Sequence, residues 1–72
     1  MKSEKFKSLA EKRTNNALKQ IRLIGNLANP AAYEYSSEQV DKIVEALNAE
    51  IGSMQRRFDA ASKSRDDKAF KL

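Results

Sequence analysis

Hydrophobic residues recur along the second half of the chain at alternating steps of four and three. They form one stripe: Val40, Val44, Leu47, Ile51, Met54, Phe58 and Ala61. This spacing places the stripe on one face of an α-helix, in the pattern of a coiled-coil seam. Ser36 and Gln39 match a capping box, and Glu38 and Asp41 bring negative charge to the first turn. The pattern predicts a helix over about residues 37–62.

The first half of the chain carries a second helical pattern with a wider apolar arc. One face holds Phe6, Ala10, Arg13, Ala17, Ile21, Ile24 and Ala28, and the leucines that broaden it are Leu9, Leu18, Leu23 and Leu27. This pattern predicts a helix over about residues 3–28. One partner helix covers roughly 100° to 140° of a helix surface, so the wider arc requires a second neighbour. We therefore expect the chain to self-associate.

The segment between the two patterns contains the residues typical of a turn, over about residues 29–36. Asn29 can cap a short turn that begins with Pro30. Alternatively, Gly25 adopts a left-handed conformation and ends the first helix there. Either ending predicts an all-α fold, an antiparallel two-helix hairpin over residues 1–61. Two hairpins laid antiparallel would form a four-helix bundle, a homodimer with the core Ile21, Ile24, Leu27, Val40, Val44, Leu47, Ile51, Met54 and Phe58.

Two tyrosines and a tail lie outside the predicted core pattern. Tyr33 and Tyr35 fall at the closed end of the hairpin, where a ring either plugs the core or binds a partner. Residues 62–72 have no apolar periodicity, and we expect a flexible polar tail. We take the two tyrosines as the candidate contacts to an unidentified protein partner.

Charge is divided unevenly along the 72 residues, whose formal net charge is +4. Residues 1–28 and 52–72 are basic, whereas residues 29–51 hold five acidic side chains and one lysine. An antiparallel hairpin collects the basic segments at its open end, and basic clusters bind phosphates. The candidate phosphate contacts are Lys12, Arg56, Arg57, Lys63 and Arg65. Nucleic acid is therefore an alternative partner, although acidic residues are interspersed and no nucleic-acid-binding motif occurs.

The composition excludes much chemistry. The chain has no histidine and no cysteine, and its two glycines are isolated. The chain therefore lacks the residues that triad-type catalysis, zinc sites and phosphate-binding glycine loops require. We expect no enzyme activity, no cofactor and no metal. No apolar run approaches the ~20 residues that span a bilayer, so we expect no membrane contact and a cytoplasmic location.

The region of about residues 12–58 resembles a group of small bacterial helical proteins often carried on plasmids, phages and other mobile elements. The most specific parts are Ile24-Gly25-Asn26-Leu27 and Tyr33-Glu34-Tyr35. The resemblance implies a bacterial cytosolic setting and supplies no activity or site. The residue patterns themselves predict a small non-enzymatic interaction protein that acts as an adaptor, accessory or inhibitor. The alternative is a nucleic-acid-binding accessory protein of a mobile element.

Overall fold

The chain folds into two α-helices, α1 over Lys2–Gly25 and α2 over Ser37–Ala69. The computed structural model describes the backbone of residues 1–69 and the side chains of residues 1–62. No strand occurs within that backbone. The helices belong to two compact units, Met1–Glu34 and Tyr35–Leu72. The predicted all-α fold of two helices is confirmed.

Helix α1 ends at Gly25, three residues before the predicted end. Asn26 caps it in a right-handed conformation, with φ −67° and ψ −13°. No described glycine has a positive φ, so the left-handed role considered for Gly25 is not adopted. The chain instead tightens into successive turns, in which the Leu27 and Ala28 amides each donate to a carbonyl three residues earlier at 3.0 Å. Leu27, placed in the core by the sequence pattern, therefore lies beyond α1.

The connector, residues 26–36, contains the short turn that Asn29 and Pro30 predict. The Asn29 carbonyl accepts hydrogen bonds from the amides of Ala32 at 3.0 Å and Tyr33 at 2.9 Å. Its side-chain Oδ1 accepts another from the Ala31 amide at 3.2 Å. Asn29 thus satisfies three backbone donors at once, which gives the connector local order.

Helix α2 begins at the predicted capping box. The Gln39 amide donates to Ser36 Oγ at 3.1 Å, and the Ser36 amide donates to Gln39 Oε1 at 2.8 Å. This reciprocal pair satisfies two amides that the first turn would otherwise leave exposed. The helix continues to Ala69, beyond the predicted end near residue 62. The side chains of the predicted tail from residue 63 onward, and the whole of residues 70–72, lie outside the described residues.

Replacing Ser36 with Ala should lower the free energy of unfolding by about 1 kcal/mol, because the Gln39 amide loses its acceptor. Thermal unfolding followed by circular dichroism at one fixed protein concentration measures the change. Ser37→Ala is the matched control, since the Ser37 side chain makes no hydrogen bond to another described residue. Equal effects of the two substitutions would show that the capping box contributes nothing measurable.

Candidate interaction surfaces

The α2 seam, residues Val40, Val44, Leu47, Ile51, Met54, Phe58 and Ala61, lies along one side of α2. Ile51 and Met54 at its middle are 53% and 51% exposed. No residue with a described side chain is buried, and only Leu47 in the seam is less than about one-third exposed. Six of the seven seam side chains are large and apolar, the type that usually fills a core. The seam is therefore a continuous apolar surface that water reaches in this structure.

The α1 face, residues Phe6, Ala10, Ala17, Ile21 and Ile24, presents a second apolar surface. Ile21 is 41% exposed, and Leu18 on one shoulder and Leu23 further round the helix are exposed to a similar extent. Arg13 interrupts the face at one position. Lys12 lies on the opposite, polar side of the helix, since nine residues separate it from Ile21 at about 100° each. Helix α1 is thus amphipathic with an arc that remains wide along its second half.

Both tyrosines are accessible. Tyr33 is 52% exposed and Tyr35 is 41% exposed. The hydrogen bond from the Tyr33 amide to Asn29 fixes the backbone where the connector turn ends. Neither ring fills a core in this structure, so burial gives no support to the interpretation of a ring as a core plug. Both rings offer a broad apolar surface with a polar hydroxyl, which suits a protein contact.

The candidate phosphate contacts are spread over both units. Lys12 lies on α1, whereas Arg56 and Arg57 lie on exposed turns of α2. Arg56 points back along its helix, with one guanidinium nitrogen 3.4 Å from where a Cβ of Gly52 would be. Arg57 borders the α2 seam. The side chains of Lys63 and Arg65 lie outside the described residues, so the structure tests no phosphate site formed by this set.

Metal-ligand clusters and membrane-spanning helices are absent from the part of the chain whose side chains the structure describes. That part contains no group of three or more acidic, histidine or cysteine residues able to hold a metal ion. No helix within it combines the length and apolar character needed to cross a membrane. The features that remain are the two apolar faces, the tyrosines and the exposed charges.

Comparison with known proteins adds no assignment. No protein-family model, curated protein or solved structure matches this chain.

Proposed function

We propose that this chain is a small non-enzymatic protein-interaction module that self-associates and binds a further protein. One observation carries the proposal. Sixteen large hydrophobic side chains are exposed, and no described residue is buried. Monomeric soluble proteins rarely expose contiguous apolar patches larger than a few hundred Å². Covering these faces is therefore the most favourable interaction open to the chain.

The energetics favour association over two isolated helices. Most helices in proteins gain their stability from packing an amphipathic face rather than from intrinsic propensity. Full burial of one Ile or Leu side chain contributes roughly 1.5 to 3 kcal/mol. Half of that gain, summed over the six large residues of the α2 seam, is on the order of several kcal/mol. Self-association into a homodimeric four-helix bundle covers the seam and the α1 face together, and we propose it as the working form.

The tyrosines supply the proposed contact with the partner protein. Interface residues that dominate binding energy are enriched in Tyr, Trp and Arg. Tyr33 and Tyr35 lie in the connector, outside both helical apolar faces. They are therefore accessible to a partner while those faces are covered by a second copy. An adaptor, an accessory subunit and an inhibitor all require such a separate contact surface.

Replacing both Tyr33 and Tyr35 with Ala should reduce partner binding at least tenfold and leave the oligomeric mass unchanged. The tagged full chain is used to capture proteins from a bacterial lysate, and the bound proteins are quantified for each variant. Glu34→Ala is the control, because it alters the same segment without removing a ring. Equal capture by the tyrosine variant and the wild type would contradict the assignment of this contact.

A second candidate function is nucleic-acid binding, favoured by the exposed Arg56 and Arg57 on a chain with net charge +4. It is tested by gel-shift titration with duplex DNA and single-stranded RNA at about 50 and 200 mM salt. A nucleic-acid protein making many phosphate contacts loses roughly a thousandfold in affinity across that range. The combined Arg56→Ala and Arg57→Ala variant would then bind more weakly. Absence of any shift at the lower salt would favour the protein-binding function.

A further inference from the structure

Two opposite charges flank the α2 seam on the same side. Glu50 and Arg57 each come one residue before a seam residue, Ile51 and Phe58 respectively. They are seven residues apart, about 10.5 Å along the helix axis, which is too far for an ion pair between them. Neither has an oppositely charged residue three or four positions away in the sequence. The structure gives neither side chain a hydrogen bond or ion pair with another described residue.

The charges of α2 also differ between its two halves. Residues 37–51 contain four acidic side chains and one basic one, whereas residues 52–69 contain five basic and three acidic ones. Two α2 helices side by side in parallel would place like-charged halves together. Two antiparallel α2 helices would place each acidic half beside a basic half, and their helix dipoles would also oppose. Charge complementarity therefore favours pairing of α2 with a second copy of the same helix that runs in the opposite direction.

We propose that two copies of α2 pair antiparallel along the α2 seam, in the register that places Glu50 beside the partner subunit's Arg57. The two-fold axis makes this contact twice. The same register sets Ile51 against the partner subunit's Met54, and Val44 against the partner subunit's Ala61. This inference rests on the proposed self-association and specifies its geometry.

The flanking residues distinguish this register from its neighbours. A shift of one heptad in one direction places Glu50 against the partner's Glu50. A shift in the other direction places Arg57 against the partner's Arg57, and like charges at such positions are unfavourable. Parallel pairing places Glu50 opposite the partner's Gln55 and forms no ion pair on this flank. Only the proposed register pairs opposite charges without a like-charge contact at these positions.

Charge reversal in the full chain tests the ion pairs. Glu50→Arg alone and Arg57→Glu alone each create two like-charge contacts per dimer, and each should raise the dimer dissociation constant about tenfold. An equimolar mixture of the two variants restores both pairs, so its dissociation constant should return to within about threefold of wild type. Glu45→Arg and Arg56→Glu make the same charge changes away from the seam. Sedimentation equilibrium at about 50 mM salt measures all of them.

Cysteine cross-linking tests the direction, because the chain has no cysteine of its own. Val44→Cys mixed with Ala61→Cys should form a mixed disulfide under mild oxidation, and neither variant should cross-link to itself. Self-cross-linking of Val44→Cys would indicate parallel helices and would overturn the inference. A dimer that neither forms the mixed disulfide nor responds to reversal at Glu50 or Arg57 would overturn the register while leaving self-association intact. A monomeric mass for the wild type would overturn both.

Discussion

Replacing Ile51 with Asp is expected to raise the dissociation constant of the homodimer more than a hundredfold. Ile51 lies at the middle of the α2 seam and is 53% exposed in the single chain. If that exposure persisted in solution, the substitution would change stability by only about 0.5 kcal/mol. In a covered seam it buries an unpaired carboxylate instead, which costs several kcal/mol. An exposed seam and a covered seam therefore predict dissociation constants for this variant that differ by orders of magnitude.

Ala49→Asp is the matched control for this substitution. Ala49 lies on the side of α2 opposite the seam, two residues before Ile51, and it also gains one negative charge. Its expected effect on the dissociation constant is less than about threefold. Light scattering behind size-exclusion chromatography, over a dilution series, compares the two variants with wild type. Similar dissociation constants for the two variants would contradict a covered seam.

Replacing Ile21 with Asp is expected to lower the free energy of unfolding by about 2 to 3 kcal/mol at a fixed protein concentration. Ile21 belongs to the second half of the α1 face, where the apolar arc is wider than one helix can cover. In a four-helix bundle this face packs against neighbours, and an unpaired carboxylate there would be desolvated. Thermal unfolding by circular dichroism measures the loss.

Asn15→Asp is the control on α1, because Asn15 lies on the far side of the helix from the centre of the apolar face. It should change the free energy of unfolding by less than about 0.5 kcal/mol. If Ile21→Asp were equally neutral while Ile51→Asp abolished dimerisation, then α2 alone would form the interface. The four-helix bundle would then be wrong, and the antiparallel α2 pair would stand without it.

The parts of the fold that local interactions determine were predictable from the sequence. The capping box needs only Ser36 and Gln39, three residues apart, and it forms as expected. The short turn after Asn29 needs only the Asn29 side chain and the fixed φ of Pro30. Both features depend on neighbouring residues, so no knowledge of tertiary packing was required.

The helix ends were less predictable because hydrophobic periodicity reports burial rather than helicity. The apolar pattern near Leu27 suggested that α1 continues, whereas the chain turns after Gly25. The pattern stops near residue 62, whereas α2 continues to Ala69. The added segment contains Lys, Arg and Ala, residue types that favour helix. The flexibility expected of this tail remains a prediction.

The residues of the candidate interaction site were predictable from the sequence, but the molecule that covers them was not. The seam pattern identified the apolar residues of α2, and the structure shows that most of them are exposed. The pattern of hydrophobic residues did not predict that Glu50 and Arg57 pair with each other between two copies of α2. Their positions relative to the heptad carry the signal, and it has a meaning only because the seam is accessible to a second copy. The identity of a partner protein depends on the complementary surface of that protein, which this sequence does not contain.

The central claim is that the apolar faces are covered by a second copy of the chain in solution. Sedimentation equilibrium of the full chain, from about 1 to 100 μM, tests it most directly. We predict a mass near twice 8.1 kDa at tens of micromolar, which falls toward the mass of one chain on dilution. A mass of one chain across the whole range would contradict the claim.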